Sequence, residues 1–424
     1  MRGPRPFRLF LMLILALTPL AQSFWFGQAW QVIDALAWPG LRALLQGLWI
    51  VAALVVLAAA LDMLRVRIFP RRAFGPWWRA VAQLWLIASC LSFLAMTAVG
   101  GLAWLSQSTM ALLPVARAAH VEPARRTTFR YAASLAGALP LLVVVYGATA
   151  GRLWYRLVPV DIPLAHLPPG LDGLRIVHLS DLHIGHFVSR AAIRRAVDLA
   201  NTAQPALAVL TGDLISNERD PLEDCIAELS RLRAPLGVWG CHGNHERSAG
   251  VEARAQALFA GYGMHVLRQQ CVELSWRGVR FNLIGVDDQR PHLRAGAPSS
   301  VLRGIAALVQ QDLPNILLSH NPDTFPRAAA LGIALSLAGH THGGQIRFAL
   351  GNRQWSPARL ITPFVAGLYR LPLGPKRHAT ADAVAPRPPQ SAFLYVNRGL
   401  GTFALPVRLG VPPEITVLTL RAAG

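Results

Sequence analysis

Charge is scarce in this chain. Asp, Glu, Lys and Arg make up 15% of its 424 residues, where ordinary soluble domains carry about 25%. Lysine is nearly absent: Lys376 stands alone among 41 basic residues, a bias that reads as a GC-rich bacterial genome rather than as guanidinium chemistry. The shortage is also uneven. Up to Arg156 the only acids are Asp34, Asp62 and Glu122, against 15 arginines, so +12 of the net charge of +19 lies in the most apolar part of the chain. Basic residues flanking apolar runs face anionic lipid headgroups, so the high net charge does not argue for a nucleic-acid partner, and none is expected. The +7 that remains beyond Arg156 suits an anionic substrate. Cysteine is equally sparse. Cys90, Cys225, Cys241 and Cys271 show no CxxC spacing, which excludes a disulfide framework and leaves buried free thiols as the expectation. There is no internal repeat.

Long apolar runs fill the first part instead. Residues 10–26, 44–61, 80–116 and 131–150 carry no charge, or none that interrupts them, and approach the ~20 residues a helix needs to cross hydrocarbon. Trp25, Trp30, Trp49, Trp77, Trp78 and Trp104 sit near the ends of these runs, as an interfacial belt would. We therefore expect residues 1–156 to be a multi-pass region of about four transmembrane helices in a bacterial inner membrane, with membrane lipids as partners. With the N-terminus inside, ten arginines fall on the inner side and five on the outer, which favours a cytoplasmic second domain. Splitting residues 80–116 into a hairpin at Gly100-Gly101 would reverse that side. The runs hold almost no charge beyond Asp62, so a transporter would lack its ion carriers.

Beyond residue 156 the rhythm changes to short β-rich runs alternating with helical ones. Residues 174–179, 206–210, 236–239, 279–286, 315–318, 333–337 and 414–420 read as strands. Helices are expected from an N-cap at Ser189 to 203, from Asp220-Pro221 to 233, and over 251–259. Residues 350–390, rich in Pro, Arg and Ala, read as loop. Such alternation predicts a layered α/β domain over 157–424 with its chemistry in loops at the strands' carboxyl ends.

Those loops carry Asp181-Leu182-His183, Gly212-Asp213, Gly243-Asn244-His245-Glu246, His320 and Gly339-His340-Thr341-His342. Asp181 and His183 can grip one ion, the two oxygens of Asp213 can bridge two ions, and Asn244 offers a neutral carbonyl. His340 and His342 can point into one cavity. This is a ligand set for two adjacent divalent metals, and mixed imidazole and carboxylate donors fit Mn, Fe or Zn better than Mg or Ca. No pair of these residues is specific alone; their conjunction in this order is. His186 is a candidate for lining the mouth and Arg398 for touching a substrate phosphate, whereas His178 and His242 read as packed core histidines.

Over residues 172–424 this set resembles the calcineurin-like metallophosphoesterase family, and within it a bacterial membrane-associated branch. The segments His340-Thr341-His342-Gly343-Gly344-Gln345 and Asn397-Arg398-Gly399-Leu400-Gly401 carry the second likeness. The resemblance implies a sandwich of two mixed β-sheets flanked by helices. It implies one metal on Asp181, His183, Asp213 and His342, a second on Asp213, Asn244, His320 and His340, and His245 as general acid. The implied activity is hydrolysis of a phosphomonoester or phosphodiester, lipid-linked if the membrane supplies it, by in-line attack of a metal-bridging hydroxide. The alternatives are a non-catalytic membrane sensor with a degenerate site, or a nuclease. One departure stands out: the family commonly shows Gly-Asp-x-x-Asp, and Ser216 occupies the last position. Glu246 is expected to orient His245.

Overall fold

A computed structural model describes residues 5–63, 75–111, 122–288, 302, 304–351, 353–373, 391–403 and 405–423. The chain divides into two compact units, Met1–Thr149 and Ala150–Gly424.

The first unit is helical: Arg5–Asp34, Pro39–Met63, Pro76–Ala111 and Glu122–Tyr146, the last running on through a short wide turn at Gly147–Gly151. Among the described residues, three helical stretches are long and apolar enough to cross a membrane: Pro39–Ala58, Pro76–Ser106 and Arg126–Gly151. The run 10–26 lies in the helix Arg5–Asp34, which is not one of the three. Gly100 and Gly101 sit inside one continuous helix of 36 residues, so the hairpin alternative is not what the chain forms. Leu48, Leu54, Leu57, Leu135, Leu139 and Leu142 point outward, an apolar surface that water would penalise and lipid accepts. Small and polar groups face inward. Ser92 donates to the Gly137 carbonyl at 2.6 Å, and a Cβ on Gly137 would lie 2.7 Å from Met96 Sδ, the close backbone approach by which helices associate in lipid.

Among the described residues the second unit holds fourteen strands: β1 (Arg156–Ala165), β2 (Arg175–Leu179), β3 (Leu207–Leu210), β4 (Val238–Gly240), β5 (His265–Val266), β6 (Gln270–Trp276), β7 (Val279–Val286), β8 (Asn315–Ser319), β9 (Leu335–Ala338), β10 (Phe348–Leu350), β11 (Arg353–Trp355), β12 (Gly367–Pro372), β13 (Ser391–Val396) and β14 (Glu414–Ala423). One six-stranded sheet has the order β1-β14-β2-β3-β4-β5, the other β12-β13-β9-β8-β7-β6, and β10-β11 form a separate hairpin. Both sheets are mixed: in the first only β14 and β2 run antiparallel, in the second β12 with β13 and β6 with β7. Ile176, Val209, Leu418, Phe281, Leu318, Leu337 and Tyr395 come from both sheets into one core, so the sheets pack face to face. Period-two alternation sends Val177, Leu179 and Ala208 to the opposite face, where they meet Ile193, Val197, Ile226 and Phe259 of the flanking helices. Phe325 and Ala329 of the helix Phe325–Ala330 cover the outer side of the second sheet. The architecture is the sandwich of two mixed sheets flanked by helices. Burying each Leu or Ile in these layers contributes about 1.5–3 kcal/mol.

Two expectations need correction. Asp220 does not cap the helix Leu222–Leu229; its Oδ2 accepts from the Ser216 and Asn217 amides at 2.9 and 2.7 Å. The segment 350–390 is not all loop, because β12 pairs antiparallel with β13, while 374–390 lie outside the described residues. Parallel strands β2, β3 and β4 of one sheet and β8, β9 and β13 of the other end at the same rim. Every candidate ligand follows one of these ends.

Candidate metal centre

The loops at that rim continue the sheets as hydrogen-bonded partners. The Asp181 amide donates to Gly212 O and the His183 amide to Asp213 O, both at 3.0 Å, while the Gly339 amide donates to His320 O at 3.1 Å. The approach is close enough to demand glycine at two points. A Cβ on Gly212, whose φ is +82°, would strike the Gly243 backbone, and one on Gly243 would strike the Asp213 carboxylate. Five of the seven candidate ligands, Asp181, His183, Asp213, His340 and His342, themselves adopt positive φ between 48° and 72°. For residues with a Cβ this conformation costs about 1 kcal/mol or more each. It turns each side chain back over the rim.

The result is a two-lobed cluster. In one lobe His183 Nε2 lies 3.1 Å from His342 Nε2, and His342 Nε2 lies 3.3 Å from Asp181 Oδ1. In the other, His320 Nε2 lies 3.1 Å from Asn244 Oδ1 and 3.1 Å from His340 Nδ1. Asp213 Oδ2 reaches both, at 3.7 Å from His183 Nε2 and 3.1 Å from His320 Nε2. All seven residues expected to hold metal are therefore brought together, with His340 exposed at the mouth and Asn244 half-buried. Asp181–His183–His342 and Asp213–His320–His340 each keep their ligand atoms within 4.8 Å of one another, and His245 completes a third such group with His183 and Asp213.

Tautomers decide whether a cation fits here. His320 Nδ1 is 2.6 Å from the Thr211 carbonyl, which can only accept, so the ring proton belongs on Nδ1 and the Nε2 lone pair faces the lobe. Its neighbours there are an amide oxygen, a carboxylate oxygen and another imidazole nitrogen. His183 Nε2 and His342 Nε2 likewise converge with at most one proton between them. Facing lone pairs in a buried space repel unless a cation joins them, so the donor set fits divalent metals. The charge pattern agrees. Burial opposes a charge on His320, yet the Asp213 carboxylate and its hydrogen bond, with Asp181, raise it to about 10: a proton collects where a cation would sit. Burial pushes Asp213 up, but the charges of His320 and His183 outweigh it and hold the carboxyl below the usual range. Burial lowers His183 to about 3 and His342 far below its ordinary value, leaving both neutral and able to ligate.

Supporting contacts go beyond the motifs. His183 Nδ1 lies 2.9 Å from Ser216 Oγ, so the serine at the departing position still holds a candidate ligand ring. A directed chain runs from His178 Nε2 to Thr211 Oγ1 at 2.8 Å, on to Ser180 Oγ at 2.8 Å, and to Asp181 Oδ2 at 2.6 Å. His178 is thus a packed histidine, as expected, that also connects through two hydroxyls to the carboxylate of Asp181, a candidate ligand. Glu246 corrects its expectation. Its buried carboxylate accepts from the amides of Gly243 at 2.8 Å, Asp213 at 2.9 Å and Leu214 at 2.7 Å, locking two loops together rather than facing His245. His245 is oriented instead by the Ser216 carbonyl, 2.9 Å from its Nδ1. His186 is exposed. Arg398 Nε lies 3.0 Å from the buried Glu414 Oε2, which draws it away from open solvent. No sequence motif signalled Ser180 or Thr211, because each acts through a hydroxyl common to any loop.

A two-sheet α/β sandwich with an imidazole and carboxylate cluster at its strand ends defines a metal-binding hydrolase-like domain. Comparison with known proteins agrees. The sequence pattern of calcineurin-like phosphoesterases matches residues 174–344. The chain is 31% identical over 264 residues to the uncharacterized metallophosphoesterase YkuE of Bacillus subtilis, covering 60% of this chain and 82% of that protein. It is 33% identical over 304 residues to a transmembrane protein with metallophosphoesterase domain of Bos taurus, covering 68% of this chain and 63% of that protein, so it spans less than two thirds of that relative. It is 27% identical over 288 residues to the UDP-2,3-diacylglucosamine pyrophosphatase LpxG of Chlamydia trachomatis, covering 58% of this chain and 84% of that protein. The chain belongs to the calcineurin-like phosphoesterase family. Its apolar helices and its transmembrane relatives associate it with the membrane.

Proposed function

We propose that this chain is a membrane-anchored, dinuclear-metal phosphoric ester hydrolase. The observation that carries this reading is the place of Asp213 Oδ2, within 3.7 Å of one cluster of lone pairs and 3.1 Å of the other. Asp181, His183, Asp213 and His342 would hold one ion, and Asp213, Asn244, His320 and His340 the second, with Mn, Fe or Zn suiting the donors. Bound there, a pair of divalent ions supplies Lewis acidity toward a phosphoryl oxygen and makes water a nucleophile near neutral pH. The chain's own residues do the rest. Ser216 and the His178–Thr211–Ser180 chain keep His183 and Asp181 aimed inward. His245, whose Nδ1 proton is held by the Ser216 carbonyl, turns Nε2 toward the site and in its doubly protonated imidazolium form would donate the Nε2 proton to the leaving oxygen.

Phosphomonoesters and phosphodiesters both fit this chemistry. A lipid-linked phosphate or pyrophosphate is the substrate class favoured by a membrane anchor, and the Chlamydia trachomatis relative, a UDP-2,3-diacylglucosamine pyrophosphatase, supports it. The proposed phosphoesterase domain is 157–424, a reading supported by the compact unit that begins at Ala150. For the membrane region, the arginine distribution of a four-helix arrangement supports a multi-pass protein of a bacterial inner membrane with this domain in the cytoplasm. A C-terminal reporter that is active only outside the cytoplasm tests sidedness, since activity there would reverse it.

Asp213→Asn tests the two-metal reading. Removing one negative charge between two cations weakens both, so purified Asp213→Asn should lose metal and several orders of magnitude in phosphodiesterase rate. A folded variant with wild-type metal content and near wild-type hydrolysis would end the assignment.

A further inference from the structure

The aromatic ring of Phe403 is 49% exposed, although the residues before it, Leu400, Gly401 and Thr402, are buried. It does not hang free. The Gln345 side-chain amide grips its backbone from both sides: Phe403 N donates to Gln345 Oε1 at 2.7 Å, and Gln345 Nε2 donates to Phe403 O at 3.0 Å. The loop behind is anchored by Arg408, a fully buried guanidinium whose Nη2 donates to Arg398 O at 2.9 Å and Gly399 O at 3.0 Å. Backbone pairing at Arg347 N to Leu409 O and Leu409 N to Gln345 O, both 2.8 Å, ties the same loop to the turn that follows His342. Phe403 is therefore carried on a fixed backbone. Its ring centroid lies 5.0 Å from that of His245 in an edge-on arrangement, 6.1 Å from His183 and 6.4 Å from His342.

Among the described residues, a half-exposed ring on so firmly held a backbone, beside the candidate metal cluster, leaves a face open to solvent. Its nearest ring neighbour in the site is His245, so that face borders the space where a leaving group departs. We propose that Phe403 is the wall of a leaving-group subsite and selects leaving groups that carry a flat aromatic ring. The selection arises because offset or edge-on packing of two rings contributes about 0.5–1.5 kcal/mol beyond their area, which an alkyl group of similar size does not recover. This inference rests on the hydrolase reading and on His245 as the acid.

The test uses the full-length, metal-loaded protein and two phosphate esters matched in leaving-group acidity, one aryl and one fluoroalkyl. The wild type should favour the aryl ester in kcat/KM, and Phe403→Ala should lower the aryl-to-alkyl ratio by about threefold to tenfold. Phe403→Trp, which restores a ring, should restore the ratio. An unchanged ratio in Phe403→Ala, with both esters hydrolysed, overturns the subsite and leaves the hydrolase reading standing. Calorimetry supplies a readout that needs no turnover. Phenylphosphonate should bind the wild type about threefold to tenfold more tightly than methylphosphonate, and Phe403→Ala should erase the difference; equal binding of the two by the wild type also overturns the proposal. If neither ester is hydrolysed, the hydrolase reading fails and the leaving-group subsite with it, and a binding preference that follows the ring then marks Phe403 as an aromatic contact only.

Discussion

A neutral imidazole has one proton, and the place of that proton decides what each histidine of the site can do. His320 and His245 both have Nδ1 against a backbone carbonyl, of Thr211 at 2.6 Å and of Ser216 at 2.9 Å. Both therefore keep Nε2 for the site. They differ in what surrounds that atom. His320 is fully buried among three other donors, whereas His245 is half-buried and faces the mouth beside Phe403. The first arrangement suits a ligand through its Nε2 lone pair, and the second leaves room for a second proton on Nε2, which the imidazolium form can donate, although His245 also lies within ligand reach of His183 and Asp213. His245→Ala separates the two roles. An acid's removal should leave both metals in place and lower the rate by about 10²–10⁴-fold on poor leaving groups. The loss should shrink when the leaving group is nitrophenolate, which needs no proton. Loss of one metal equivalent, or the same rate loss on every leaving group, would make His245 a ligand. The seven candidate ligands could be singled out because Asp, Asn and His after apolar runs are hard to explain otherwise. Their left-handed backbone was not, since nothing in the residue types Asp181 or His340 announces a positive φ. The role of Glu246 was misread for a related reason: adjacency in sequence to His245 suggested contact, but a carboxylate opening a helix is drawn to the nearest free amides.

Elements were legible where their hydrophobic pattern was strong. Strand β7 was read at its full length, and Ser189 does cap the helix Arg190–Thr202, accepting from the Ala192 amide. Strand β1 was missed because Pro159 and Pro163 interrupt it; it tolerates them by lying at the sheet edge beside β14. Strands β12 and β13 escaped notice because their connection, 374–390, dominates the local composition. One contact between elements was invisible in the sequence altogether. Glu228, with its side chain 1% exposed, accepts from Arg190 Nε at 2.6 Å, Arg194 Nη2 at 2.7 Å and Arg231 Nη1 at 3.2 Å, pinning the helix Leu222–Leu229 to Arg190–Thr202. Hydrogen bonds from Arg194, opposed by desolvation and reinforced by Arg190, lower its carboxyl to about 2. A depressed carboxylate contributes stability in full above its ordinary pKa and loses it as pH falls toward the folded value. Wild type should therefore lose part of its stability between about pH 4.5 and pH 2 through this group. Glu228→Gln should lower unfolding stability at pH 7 by about 1–2 kcal/mol, a range reduced because the arginines are half-exposed. The same variant should be less sensitive to acid, as read by denaturant unfolding at pH 7 and pH 3. Equal stability of the two proteins at pH 7 would show that the cluster contributes nothing.

At the scale of the whole chain, the composition changes near residue 156, while the chain divides into compact units at Thr149 and Ala150. The detail of the junction changes what a separated second part must contain. Composition alone suggests that truncation near Asp161 would suffice, because every ligand lies downstream. That cut would remove half of β1, whose ten residues pair in parallel with β14 from Arg156↔Glu414 to Ala165↔Ala423. Arg152 adds a further tie, with Nη1 donating to the Phe187 carbonyl at 2.7 Å on the loop that follows Asp181 and His183. A protein starting at Ala150 should therefore be soluble without detergent, bind two metals per chain and hydrolyse a small soluble phosphodiester at nearly the full-length rate. One starting at Asp161 exposes the edge of β14 at Glu414–Leu418 and should unfold at lower temperature or aggregate. If the natural substrate is lipid-linked, the Ala150 truncation should lose far more activity on phosphoesters presented in vesicles than on soluble ones, because the anchor supplies local concentration rather than chemistry. Equal loss on both would mean that the helices act on the site itself. Equal stability of the two truncations would mean that β1 is dispensable to the sandwich.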